Sequence, residues 1–170
     1  MAMNQKTAQQ IATAIAGGCH IMASAQEHIM LGNNPSGNGA HSGLHSMNIA
    51  AGHYPNLTQI ALSDTDARVD SIYSAEIRLN GSPDKGTKVS SFFPATINWV
   101  AIRAAIEEAW RDGHIYKSND IYASMRAKYG LGMVGQANIN GQQIWIGSMQ
   151  VGNAGSPIGT AFPAVNNKFT

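Results

Sequence analysis

Apolar residues return at helical spacing twice near the start of the chain. They stand at Ala8, Ile11, Ala12 and Ile15, then again from Met22 to Met30, with Gly17-Gly18 between. Positions three and four apart share one face of a helix, so two short helices are expected there. Residues 32–53 break this rhythm: Gly, Asn and Ser dominate, Pro35 interrupts, and no period survives. That is a long loop or a set of short turns, and loops of this length are usually functional or disordered. Three of the six histidines, His41, His45 and His53, fall in it.

From about Leu57 the pattern reads as strands: Ile60 to Leu62, Val69 to Leu79, and Thr87 to Phe93, the last closed by Pro94. In the second of these, Ile72, Ser74, Glu76 and Arg78 alternate poorly with the apolar set, which leaves the register open. Asn80-Gly81 is a tight-turn pair. Thr96 is placed to cap a helix over 97–112, with an apolar stripe of Trp99, Ile102, Ile106, Ala109 and Trp110. Arg103, Glu107, Glu108 and Arg111 make its solvated face, and Gly113 stops it. A shorter helix is expected at about 119–128, from Asn119 or Asp120. Strands follow over Gly132 to Asn138 and Gln143 to Val151, around an Asn140-Gly141 turn, and a last one runs from Ile158 to Val165. Helices come early, strands late, and no βαβ alternation occurs. The fold class is therefore α+β: N-terminal helices followed by antiparallel sheets with one packed helix. No repeat or linker divides the 170 residues, so one domain over 1–170 is expected.

Composition changes this picture little. Charged residues are 12% of the chain, about half the usual share, and Gly is abundant at 18. A net charge of +1 gives no field that draws polyanions, so a nucleic-acid reading must rest on a site. The single Cys19 excludes an intrachain disulfide and reads as a small buried hydrophobe. No apolar run approaches the ~18 residues of a membrane span. Ala23-Ser24-Ala25 imitates a signal-peptidase site, but only Lys6 precedes it as a basic region and Gly17-Gly18-Cys19-His20 interrupts it. The expectation is a fragment that rides at the C-terminus of a larger exported protein.

The candidate chemistry lies in His28, His41, His45 and, slightly apart, His53. Histidine suits acid–base work because its unperturbed pKa lies near neutrality. Cutting RNA without a metal needs a base for the ribose 2′-OH, an acid for the departing 5′-oxygen, and a cation near the phosphorane between them. Two histidines and a lysine meet that need, and Lys85 and Lys88 stand in or before the strand that runs into Phe92-Phe93-Pro94. Taken singly, each histidine is a solvated turn residue, Lys88 an edge charge and Thr160 a strand former. The pair His41 and His45 would suit zinc on a helix, but Gly39, Ser42 and Gly43 oppose a helix and no third ligand has motif spacing. A metal-dependent hydrolase built on the histidines and a non-catalytic binding or adhesion module are the alternatives.

Five stretches carry a resemblance. These are His28-Ile29-Met30-Leu31-Gly32, Gly43-Leu44-His45-Ser46, Ile72-Tyr73-Ser74-Ala75-Glu76-Ile77, Lys88-Val89-Ser90-Ser91-Phe92-Phe93-Pro94, and Gly159-Thr160-Ala161-Phe162-Pro163 after the Ile144-Trp145-Ile146-Gly147 strand. In this order the chain resembles the bacterial EndoU endoribonucleases, in their toxin branch at the ends of contact-dependent inhibition and other polymorphic toxins. The stretches span about 28–163, and the helical first 25 residues lie outside them.

The resemblance implies an EndoU-like nuclease core of the barnase/EndoU/colicin/RelE type and a metal-independent endoribonuclease without cofactor. Its product would be a 2′,3′-cyclic phosphate. The catalytic histidines fall on His28 and His45, the lysine on Lys88 and a further site residue on Thr160. Gly39-Ala40-His41-Ser42 also reads as Gly-x-His-Ser, so His41 is the other candidate for the second histidine, although Leu44 supplies the expected apolar residue before His45. His41, Ser91 and Phe162 are then substrate-binding residues. Phe162 stands where many relatives have Tyr, losing a hydroxyl but keeping a face for a base. The partners implied are RNA, tRNA in particular, and an immunity protein, with the chain otherwise a monomer. It would be secreted or delivered from the cell surface as part of a larger protein and act in the target-cell cytoplasm.

Overall fold

The computed structural model describes residues 19–32, 42–48, 52, 54–62, 71–81, 84, 86–112, 114–115, 132–150 and 157–163. These hold helix α1 (Ala23–Leu31), strands β1 (Leu57–Leu62), β2 (Tyr73–Leu79) and β3 (Thr87–Phe92), and helix α2 (Trp99–Asp112). Strands β4 (His114–Ile115), β5 (Gly132–Ile139), β6 (Gln142–Gln150) and β7 (Ile158–Pro163) follow. β1-β2-β3 and β4-β5-β6-β7 form two antiparallel sheets, so the architecture is α+β as the pattern predicts. The helices expected at 8–15 and 119–128 lie outside the described residues.

The larger core packs α2 against the four-stranded sheet. Ile102, Ala105, Ile106, Ala109 and Trp110 are buried, meeting Ala137, Ile139, Ile144 and Ile146 of β5 and β6. Each fully buried large side chain contributes roughly 1.5–3 kcal/mol. The helix lies unusually close to β5 at Gly135, where a Cβ would stand 1.8 Å from the Ala109 carbonyl oxygen. Asn98, not Thr96, caps α2: its Oδ1 accepts from the Ala101 N–H, the bond an N-cap side chain makes three residues on. Pro94 turns the chain first, with the Ile97 N–H reaching the Pro94 carbonyl, and this delays the helix to Trp99. On its polar face Arg103 pairs with Glu107, while Glu108 accepts from the Asn138 N–H at the hairpin.

The smaller core lies on one face of the three-stranded sheet. β2 settles the register that the sequence left open: Tyr73, Ala75 and Ile77 point inward and Ser74, Glu76 and Arg78 outward. Tyr73 and Phe92 stack with ring centres 4.9 Å apart, beside Leu44 and Leu57. The two asparagine–glycine pairs behave differently. Asn140-Gly141 closes the β5–β6 hairpin with both residues at positive φ (51° and 80°), as a two-residue turn requires. Asn80-Gly81 only begins the link to β3, which starts at Thr87, and Asn80 ties back instead to Asn56 and Pro55.

Helix α1 bridges the two cores. Just before it, the Met22 N–H reaches the Ile158 carbonyl and the Ile158 N–H reaches His20, tying the entry to β7. Its last turn leaves carbonyls without helical partners, which must be satisfied elsewhere. The His28 carbonyl accepts from Gly32 and Leu44, Ile29 from His45, Leu31 from the Asn56 backbone, and Gly32 from the Asn56 side chain. The segment 42–48, part of the expected loop, is thereby held as a cap on the end of α1.

Candidate active site

His28 lies in the last turn of α1, half-buried because its neighbours Ile29 and Met30 take the core-facing positions. The segment that carries His45 approaches that turn through two residues with left-handed backbone, Gly43 (φ 78°) and Leu44 (φ 59°). Such a conformation suits glycine and strains leucine, whose side chain is nonetheless fully buried in the smaller core. The bend sends the Leu44 N–H to the His28 carbonyl at 2.9 Å and the His45 N–H to the Ile29 carbonyl at 2.7 Å. The two imidazoles consequently stand with centroids 6.3 Å apart. Ser42 Oγ lies 3.4 Å from His28 Nδ1.

His45 is held from a second side by β3. Its Nδ1 lies 2.7 Å from the Ser91 carbonyl oxygen, and its own carbonyl accepts from the Phe93 N–H at 2.8 Å. A carbonyl oxygen can only accept, so Nδ1 carries the proton and Nε2 the lone pair. His45 is 9% exposed. Burial, with the nearby Lys88 and His28 adding to it, pushes its pKa down to about 3, although the Ser91 bond acts the other way. The ring is thus neutral at physiological pH.

Lys88 comes from β3, facing Ile77 on the inner side of the sheet, the side that also carries Ser90 and Phe92. Burial lowers its ammonium to about 8. Phe162 reaches the site from β7, its ring 5.8 Å from His45. A bulge sets this up: Met149 pairs with Thr160 but Gln150 with Ile158, so Gly159 is an extra residue. Ile158 and Ala161 therefore both serve the larger core, while Thr160 and Phe162 share the opposite face. Both are 3% exposed.

The structure thus brings His28, His45, Lys88 and Phe162 to one place, with Thr160 on the same strand face. Ser91 meets His45 through its carbonyl; strand alternation puts its side chain on the face opposite Lys88. His41, His53 and Lys85 lie outside the described residues. Among the described residues no three His, Cys, Asp or Glu side chains are grouped to hold a metal ion. None of their helices is long and apolar enough to cross a membrane. Cys19 packs half-buried against the larger core, its thiol pushed up to about 11 by that burial. The residue missed from sequence is Ser90, whose hydroxyl lies 3.3 Å from His45 Nδ1. Its place in β3, two residues from Lys88 and on the same face, was the available signal.

No curated protein and no solved structure matches the chain. The family model described as bacterial EndoU nuclease matches residues 23–165, which includes every element described above from α1 to β7. The chain belongs to the bacterial EndoU nuclease family and is an endoribonuclease.

Proposed function

We propose that this endoribonuclease cuts RNA by metal-independent transesterification, with His45 as base, His28 as acid and Lys88 facing the phosphorane. The observation that carries this reading is the pair of imidazoles 6.3 Å apart beside a lysine whose charge reaches His45. His45 is neutral and its tautomer offers Nε2 as acceptor for the 2′-OH proton. His28, the more open of the two, returns a proton to the departing 5′-oxygen. Lys88 gains most when negative charge concentrates on the non-bridging oxygens. The 2′-oxygen attacks phosphorus, the bond to the 5′-oxygen breaks, and the fragments carry a 2′,3′-cyclic phosphate and a 5′-hydroxyl. Thr160 and Phe162 line the same side, where the tilted ring of Phe162 supports His45 as well as bounding the substrate.

The biological reading is a toxin module of a bacterial delivery system, a single domain that enters a target cell, cuts tRNA in its cytoplasm and is held in check by an immunity protein. The motif order, like that of the toxin branch, supports it. A nuclease free in its own cell would cut the maker's RNA, which is the reason to expect the inhibitor. The deciding experiment incubates purified protein with labelled total RNA in excess chelator. Fragments with cyclic-phosphate ends are expected, and cleavage that appears only on adding metal would sink the mechanism. Tracing the cut ends to an RNA other than tRNA would overturn the substrate reading alone.

A further inference from the structure

Ser90 sits where the support of His45 converges. It is buried in β3, and its hydroxyl donates to the Leu44 carbonyl at 2.8 Å. Its oxygen also lies 3.3 Å from His45 Nδ1. With the hydroxyl proton committed to Leu44, only a lone pair faces the imidazole. Nδ1 therefore meets two acceptors, the Ser91 carbonyl and the Ser90 oxygen. The opposite tautomer would set its own lone pair against both.

The Leu44 end of this arrangement matters equally. Leu44 adopts a left-handed backbone that leucine disfavours, and strain of this kind persists only where the surroundings over-determine it. Its N–H is fixed by His28 and its carbonyl by Ser90, so Leu44 is pinned on both sides, and the peptide leading into His45 is held by Ser90 at its carbonyl and by Ile29 at its N–H. Losing the hydroxyl leaves that carbonyl without this donor and frees the backbone to relax away from φ 59°. The ring would then drift from the Ser91 oxygen.

We propose that Ser90 is a positioning residue: its proton anchors the strained Leu44 peptide and its lone pair holds His45 as the Nδ1–H tautomer. It acts through His45 and does not touch RNA. The role rests on the reading of His45 as base, but its test does not depend on activity alone.

The imidazole nitrogens of His45 are followed by NMR in histidine-labelled protein, alongside steady-state cleavage. The wild type should show a protonated, pyrrole-type Nδ1 and an unprotonated, pyridine-type Nε2. In Ser90→Ala the two resonances should move toward each other as the tautomers mix. Its kcat should fall about tenfold with KM within about twofold, roughly what one hydrogen bond is worth. Ser90→Thr, which keeps the hydroxyl, should restore both. Should Ser90→Ala fail to fold, Ser90→Cys fills the volume with a much weaker donor and carries the same expectation. Nitrogen shifts as well separated as in the wild type, in whichever of Ser90→Ala and Ser90→Cys folds, would overturn the proposal. Undiminished cleavage by His45→Ala would instead remove the base assignment, leaving the nitrogen shifts to judge Ser90 separately.

Discussion

A Cβ on Gly43 would stand 2.2 Å from the carbonyl oxygen of His28, well inside any tolerable contact. The backbone that carries one candidate catalytic histidine thus rests directly on the backbone of the other. Gly43→Ala must either twist out of its positive φ or push the two segments apart. Because a misplacement near 1 Å can cost about a hundredfold, kcat should drop on that order, even where circular dichroism shows the fold retained. Wild-type turnover by Gly43→Ala would mean that the close approach does not set the histidine geometry.

His28→Ala and His45→Ala should each lower cleavage by roughly 10²–10⁴-fold, the usual worth of a positioned acid or base. Single-turnover rates on labelled RNA measure this directly. An unimpaired His28→Ala protein removes the pair altogether, whereas an unimpaired His45→Ala protein shifts the second role to His41.

The two pH profiles should differ on their acid side. In the free enzyme His45 titrates near 3, far below the ordinary histidine range, so kcat/KM should keep its base form well into acid. A bound phosphodiester places negative charge beside the ring and favours its protonated form, so the acid limb of kcat should lie higher. Above about pH 8 Lys88 loses its charge, and the rate should fall. Coincident acid limbs near 6.5 would show that His45 is not desolvated as described.

Stability should carry the same signature. The folded pKa of His45 lies below its unfolded value of about 6.5, so between about 6.5 and 3 the unfolded chain binds a proton that the folded chain refuses. The stabilisation is complete above that window and is lost as pH falls through it, by up to about 1.4 kcal/mol per unit. Urea midpoints at pH 7 and pH 5 measure it, and His45→Gln should flatten the dependence. An unchanged slope in that variant would assign the acid sensitivity to other groups.

Lys88→Ala should reduce kcat strongly and leave KM nearly unchanged, because the charge matters most to the phosphorane. Lys88→Arg should rescue only in part, since a planar guanidinium places its charge differently. A large KM effect with kcat intact would make Lys88 a docking residue instead. Lys85→Ala is the control expected to cleave normally.

Much of this was legible along the chain, for reasons that particular residues make plain. α2 was readable because its stripe at Ile102, Ile106 and Trp110 keeps a helical period, and Asn140-Gly141 because both residues tolerate the positive φ that a two-residue hairpin of this type needs. Asn98 displaced Thr96 as cap because the Pro94 turn uses up the intervening residues, which is a matter of backbone geometry that composition does not encode. Strand β4 has two residues, paired with β5, and is too short for any periodicity. At the site, His28, His45 and Lys88 came from a resemblance in motif order and not from spacing. What the sequence withheld was the route by which they meet: a left-handed Leu44, a bulge at Gly159 and the Ser90 hydroxyl, all products of tertiary pairing.

Adjacent phenylalanines serve different cores: Phe92 belongs to the cluster beneath the three-stranded sheet and Phe93 to the one beneath α2. The same seam runs between the histidines, since α1 is moored to β7 while His45 hangs from β3. On the ribosome, a chain whose β1–β3 half has emerged still lacks the strand that moors α1 and supplies Phe162. The candidate site is thus completed only once β7 has followed, and until then the histidine pair stands without the strand that holds α1 in place.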